Sequence, residues 1–194
     1  ALLKGQHPDW TPAQIKSALM TTARQNITKE DGVTQADPFD YGAGHAAPVN
    51  AMEPGLTYEL NAGDYFAFMC GLGEGDFVTS EAGVSCSDLT GAGFSDDATQ
   101  LNYPSIAVSE LIQSKTISRT VTDMSGLGGT YVASIDMPEG IDVTVTTYDG
   151  AGNETPTDDL VVAADGKASF ALTFNRTPDA VVNEWAFGAI TWTD

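Results

Sequence analysis

The alternation of apolar and polar residues changes its period near Leu101, and this change is the strongest constraint on the fold. Beyond it, apolar side chains recur at every second position, as at Tyr131, Ala133 and Ile135. A period of two directs one face of a strand toward a core. Clusters of Gly, Pro, Asn and Asp separate about seven such segments, which indicates an antiparallel β-sandwich. The predicted strands cover residues 105–108, 115–122, 131–137, 141–145, 160–162, 170–174 and 185–192.

The first part of the chain is predicted to be helical. The start of one helix, at Thr11, shows all the residue types that typically begin a helix. Thr11 is a good N-cap, and Pro12 stands at the first helical position, where its missing N–H costs nothing. Gln14 completes a capping box, and Trp10 and Ile15 occupy the two positions of a hydrophobic staple. We therefore expect a helix over residues 12–23.

A second helix is expected over residues 61–72. Asn61 can cap it, Asp64 follows three positions later, and apolar residues recur at helical spacing from Tyr65. Residues 73–100 are rich in Gly, Ser and Asp and are expected to form a linker or long loop. Helices before the strands place the chain in the α+β class.

Composition and charge argue against a membrane helix and against two classes of partner. Hydrophobic residues make up 42% of the 194, enough for a packed core, and no apolar run approaches the roughly 20 residues of a membrane helix. The net charge is −19, and the stretch between Lys29 and Lys115 holds 14 Asp and Glu without any Lys or Arg. Nucleic acid and anionic membranes both require basic residues, so neither is an expected partner.

Few residues suit catalysis or metal binding. His7 and His45 are the only histidines, and both occur in turn or loop contexts that favour a structural role over general-base catalysis. The pairs at 96–97 and 158–159 are acidic but lack an EF-hand pattern, so solvated loop acids are the expectation. We predict no catalytic residue, no metal site and no cofactor in the chain.

Cys70 and Cys86 are the only cysteines. An even pair is compatible with a disulfide or with two buried thiols, and the spacing alone does not decide between them.

Four segments in order resemble plant-type subtilisin-like proteases, or subtilases: residues 7–23, 38–45, 53–58 and 101–106. The first resembles the stretch that follows the catalytic serine in that family. The last resembles the entry to a C-terminal fibronectin-type-III-like domain. Later strands of that domain are matched by residues 119–122, 138–141 and 185–192.

The resemblance implies a domain organisation. Residues 1–60 correspond to the end of the protease domain, 61–100 to a helix and a disulfide-held linker, and 101–194 to the β-sandwich. The family has one more strand after the segment matching 185–192, so the sandwich is expected to lack its last strand. Self-association is expected through this unpaired edge or through the apolar face of the helix over residues 12–23, which has likewise lost its cover.

The resemblance also implies a secreted serine endopeptidase as the parent protein, acting on protein or peptide substrates through an Asp-His-Ser triad. The family's Gly-Thr-Ser-Met nucleophile motif does not occur in this chain. The remainder of the protease domain is thus the expected partner. Plant-type members carry a cysteine pair in this region, which favours a disulfide between Cys70 and Cys86.

Two functions from different classes follow. In the first, the chain is the non-catalytic C-terminal part of a subtilase, and its sandwich supports the protease domain. In the second, it is a free-standing β-sandwich module that binds protein or carbohydrate. The capped helix favours the first, because its Ile15 and Leu19 would need the protease core to cover them.

Overall fold

The computed structural model describes residues 1–149, 151–155 and 158–194. Within them, helices dominate the first half and strands the second. The helices are α1 (Leu2–Gln6), α2 (Pro12–Thr21), α3 (Pro38–Tyr41), α4 (Ala62–Gly71), α5 (Gly75–Ala82) and α6 (Cys86–Gly91). The strands are β1 (Leu56–Tyr58), β2 (Ser114–Asp123), β3 (Gly129–Asp136), β4 (Ile141–Tyr148), β5 (Leu160–Val162), β6 (Lys167–Arg176) and β7 (Ala189–Thr193). None of the helices in these ranges has the length and apolar character needed to cross a bilayer.

The strands form two antiparallel sheets, as the twofold pattern predicts. One has the order β1-β2-β6-β4 and the other β5-β3-β7. Apolar side chains from both sheets share one core, in which Phe170 is fully buried and meets the edge of Trp192 with ring centroids 5.0 Å apart. The prediction of an α+β chain with a β-sandwich is therefore confirmed.

The N-terminal helices follow their capping signals. The Thr11 hydroxyl accepts a hydrogen bond from the Gln14 amide, and the Gln14 side chain accepts from the Thr11 amide, as a capping box requires. Trp10 is buried in a small core with Leu3, and Ile15 packs against it. The sequence prediction for α2 is confirmed.

The stretch after α4 differs from the long loop expected for residues 73–100. Two further helices, α5 and α6, pack on α4 around Ala67, Val78 and Leu89. The loop prediction was wrong because the helices are short. Even so, Ser85 forms a capping box with Asp88, and that spacing is readable in the sequence.

A disulfide joins Cys70 in the last turn of α4 to Cys86, the first residue of α6. The predicted pairing is confirmed. Its second anchor is a helix rather than the loop that the sequence suggested. The bond closes a 16-residue separation, and a loop of that length stabilises a fold by about 3 kcal/mol in the chain-entropy model.

Two strand predictions need correction, and one strand was not predicted. Residues 105–108 form no strand. The edge of β2 near Thr116 to Thr120 is covered instead by the side chains of Gln100 and Asn102. The last strand begins at Ala189 rather than at Trp185, since Trp185 and Phe187 turn toward Phe39 instead. The three-residue strand β1 was missed, because it is too short to show a period.

A buried carboxylate closes the turns at one end of the sandwich. Asp123 is only 4% exposed. One of its oxygens accepts from the amide and hydroxyl of Ser125, and the other from the amides of Gly128 and Asp165. Burial acts to raise the pKa of Asp123, but these four donors outweigh it and the pKa is lowered.

The close packing against α4 predicts a contrast between two helical glycines. A Cβ at Gly71 would lie 1.7 Å from the backbone oxygen of Asp96, whereas a Cβ at Gly91 would meet nothing within 4 Å. We expect Gly71→Ala to lower the free energy of unfolding by about 1–3 kcal/mol. Gly91→Ala is the matched control and is expected to be neutral or slightly stabilising. Urea denaturation measures both, and equal effects would contradict the packing.

The Asp123 carboxylate predicts a pH dependence. Its pKa is lower in the folded state than in the unfolded chain, so its stabilisation is present above the unfolded pKa of about 4 and is lost as the pH falls through the folded pKa. At pH 7 we expect Asp123→Asn to lower the free energy of unfolding by about 2 kcal/mol, because the amide places N–H groups against N–H donors. The difference from wild type should shrink below about pH 4.

Denaturant titrations at both pH values measure this effect, with Asp142→Asn, at an exposed position of β4, as the control. A difference between wild type and Asp123→Asn that does not change with pH would contradict the assignment.

Candidate functional site

The candidate site is the junction between the helical part of the chain and the sandwich. There, β1 and residues 99–103, which we call the connecting segment, cover the edge of β2 that faces away from β6. β1 covers one end of that edge, with Leu56 opposite Asp123 and Tyr58 opposite Val121. Thus the strand that follows the N-terminal helices is part of the sandwich's four-stranded sheet.

Two side chains cover the rest of the edge. Gln100 donates to the Thr116 carbonyl and accepts from the Ser118 amide, while Asn102 donates to the Thr120 carbonyl and accepts from the Thr120 amide. These amides mimic the hydrogen bonds of a neighbouring strand. The edge of β2 therefore has partners from Thr116 onward without a strand beside that part of it.

Asn102 also reaches the other side of the junction. Its amide nitrogen donates to the carbonyl of Glu59, just after β1, at 3.0 Å. The Asn102 side chain thus links the residue after β1 to Thr120 of β2.

A buried cation completes the junction. Arg119 on β2 is 3% exposed, and its guanidinium donates to the carbonyls of Thr99, Tyr103 and Ser118. Burial lowers the pKa of Arg119 to about 10, which leaves it charged at neutral pH, and burial raises the pKa of the nearby Tyr58 hydroxyl to about 12. The cation is satisfied by backbone oxygens, so its role here is to fix the connecting segment.

Helix α2 contacts the same junction. The Ser17 hydroxyl, buried on α2, accepts a hydrogen bond from the Tyr58 amide at 2.8 Å. On the preceding residue, the Lys16 ammonium lies 4.6 Å from the centroid of the Tyr103 ring. The helix that the sequence predicted is therefore attached to β1 and to the connecting segment.

An open apolar groove of about 780 Å³ runs along the outer side of α2. Trp10, Ile15, Leu19 and Met20 line it, with Lys4 and Lys16 among its polar residues and Tyr103 at its wall. From the sequence, we expect Ile15 and Leu19 on this face to be covered by the rest of a protease domain. Residues 1–29 are also unusual in charge, since they hold four Lys or Arg and a single Asp.

The residues considered for catalysis or metal binding have structural contacts. His7 stacks on Trp10 at 3.9 Å and donates from Nε2 to the Met52 carbonyl, and His45 forms a β-bridge with Arg24. Neither histidine is paired with a serine hydroxyl in the contacts that the structure describes.

The acidic pairs are likewise engaged or solvated. Asp97 forms an ion pair with Lys115, which lowers the pKa of Asp97 to about 2, and its side chain accepts from the Thr99 amide. Asp158 is exposed. Across the described ranges, no three His, Cys, Asp or Glu side chains gather as metal ligands would.

The sequence did not identify Gln100, Asn102, Arg119 or Ser17 as junction residues. Asn102 and Arg119 lie inside the resembling motifs, but a motif does not reveal which backbone groups a side chain will reach. The predicted boundaries 1–60, 61–100 and 101–194 remain predictions, although β1, which precedes residue 60, pairs within the sandwich sheet.

Comparisons with known proteins agree with this architecture. Residues 100–194 match the fibronectin type-III domain family. The whole chain is 37% identical over 201 residues to subtilisin-like protease SBT3.2 of Arabidopsis thaliana, and 34% identical over 211 residues to SBT1.6 of the same plant. Subtilisin-like serine-protease S of Lotus japonicus is 35% identical over 199 residues, which cover 99% of this chain.

The chain spans only about a quarter of these relatives, with 26% of SBT3.2 and 24% of the Lotus protein covered. The match lies in their C-terminal region. Together with the sandwich and its attached helices, these similarities show that the chain belongs to the subtilisin-like protease family, as a C-terminal segment that ends in a fibronectin type-III domain.

Proposed function

We propose that this chain is the non-catalytic C-terminal part of a secreted subtilisin-like serine endopeptidase, and that its sandwich supports the protease domain. The observation that carries the proposal is the shared sheet: β1, which follows the N-terminal helices, pairs with β2 of the sandwich. A sheet shared across the junction transmits any constraint on the sandwich to helix α2.

The groove supports the same function. Its Ile15 is only partly buried where it packs against Trp10, and Leu19 remains 36% exposed. We assign this face to contact with the remainder of the protease domain, which would bury it. The alternative of a free-standing binding module accounts for the sandwich but leaves the groove uncovered.

Catalysis and substrate binding belong to the rest of the parent protein in this proposal. Peptide-bond hydrolysis by the family's mechanism requires a histidine that removes the proton of a serine. Both histidines of this chain have structural contacts instead. Protein or peptide substrates would be cleaved by residues outside this segment.

The Cys70–Cys86 disulfide supports secretion, because such bonds persist in oxidising compartments. In the isolated chain, the same uncovered groove is the surface through which we expect any self-association.

The proposal predicts that Leu19→Glu has little effect on the isolated chain but a large effect on the full-length protein. Glu has a helix propensity close to that of Leu, so Leu19→Glu should change the unfolding free energy of the isolated chain by no more than about 1 kcal/mol. In the full-length protein the same charge would be buried against the protease domain. There we expect about a tenfold lower yield of secreted, casein-cleaving enzyme.

Val33→Glu is the matched control, because Val33 is 83% exposed in a loop outside the groove. It should leave the full-length enzyme unchanged. Covalent labelling of the isolated chain by a serine-reactive phosphonate would contradict the non-catalytic role. Equal yields for the two full-length variants would contradict the assignment of the groove.

A further inference from the structure

An exposed aromatic cluster is built from residues that do not line the groove. Phe39 on α3 meets Trp185 at a centroid distance of 4.9 Å and Phe187 at 5.2 Å, edge to face in both cases. We call Phe39, Trp185 and Phe187 the aromatic cluster. It brings the helical half of the chain against the segment that precedes β7.

The cluster remains open to solvent although its rings pack on one another. Phe39 is 62% exposed, Trp185 54% and Phe187 38%. Exposed Met137, Val181 and Val182 lie on the segments that carry it or adjoin it. An open apolar patch of this kind is typical of a binding surface, and rings held by mutual contact lose little freedom when a partner docks.

Several close contacts fix the end of the sandwich that carries the cluster. The Thr177 amide donates to the Gly140 carbonyl at 3.0 Å, and a Cβ at Gly140 would lie 2.4 Å from the Cα of Ala180. At Gly188, a Cβ would lie 2.4 Å from the carbonyl oxygen of Asp136. The segment that presents Trp185 and Phe187 is therefore packed tightly on the turn between β3 and β4.

The surroundings of the cluster are strongly acidic. Three segments build this end of the molecule, residues 37–41, 136–140 and 177–188, and together they contain six carboxylates and no Lys or Arg. The one ion pair to these carboxylates in the described ranges joins Asp40 to Lys29. Such a surface attracts positive charge and repels acidic partners.

From this combination we propose that the aromatic cluster is a docking site for a peptide segment that alternates apolar and basic side chains. The apolar side chains contact the rings, and the Lys or Arg side chains interact with the ring faces and the surrounding carboxylates. A carbohydrate without charge would gain nothing from the six carboxylates around the rings, whereas Lys or Arg side chains would. The charge of this surface therefore favours a basic peptide over a carbohydrate.

Titration of the chain with synthetic peptides tests the site. The probe is acetyl-Leu-Arg-Leu-Lys-Leu-Arg-amide, and its matched control is acetyl-Leu-Glu-Leu-Asp-Leu-Glu-amide. Calorimetry measures affinity, and tryptophan emission reports on the cluster because Trp10 is buried and Trp192 half-buried, whereas Trp185 is exposed. We expect the basic peptide to bind, with affinity falling as salt is added, and the acidic peptide not to bind.

Variants locate the binding. Trp185→Ala and Phe39→Ala change opposite sides of the cluster, and each should weaken binding of the basic peptide by about tenfold or more. Phe77→Ala is the matched control, since Phe77 is a 47% exposed aromatic residue on α5. It should leave the affinity unchanged. Melting temperatures close to that of wild type establish that the variants are folded.

The proposal is overturned if the basic peptide does not bind, or if the two peptides bind equally. It is also overturned if Phe77→Ala weakens binding as much as Trp185→Ala does. Binding of cellohexaose that Trp185→Ala abolishes would assign the cluster to carbohydrate instead. Loss of self-association in Trp185→Ala, without peptide binding by the wild type, would assign it to a second copy of the chain.

Discussion

The structure depends on how the edge of β2 is covered. A strand edge exposes backbone N–H and C=O groups that must find partners. Here β1 pairs with the last residues of β2. Nearer the start of β2, the side chains of Gln100 and Asn102 form hydrogen bonds with its backbone instead. The same set of hydrogen bonds therefore completes the sheet and fastens the helical half of the chain to it.

This arrangement explains why a highly acidic chain buries one of its few cations. Arg119 supplies donors to three carbonyl oxygens of the junction and needs no carboxylate partner. Helix α2 then docks on the completed edge through Ser17, which holds the groove beside the junction. Support of a protease domain would follow from this continuity, because the sandwich and the helix that lines the groove share one hydrogen-bonded framework.

The sequence predicts the parts of this fold that rest on local rules. The box at Thr11, the cap at Asn61 and the alternation in the sandwich depend on near neighbours, and all three are present in the structure. The junction rests on contacts distant in sequence, such as Asn102 with Glu59, and no period or spacing encodes them. The short strand β1 was not predicted for a related reason. It has only three residues, and pairing with β2 stabilises it more than any pattern in its own sequence does.

Native-state hydrogen exchange on the isolated chain tests the central claim most directly. The amides of Ser118 and Thr120 donate to side chains of the connecting segment, whereas Ile117 lies opposite Leu172 of β6 inside the sheet. If the junction is one framework with the sandwich, all three amides should exchange with the same high opening free energy. Rapid exchange at Ser118 and Thr120 beside a protected Ile117 would contradict the account.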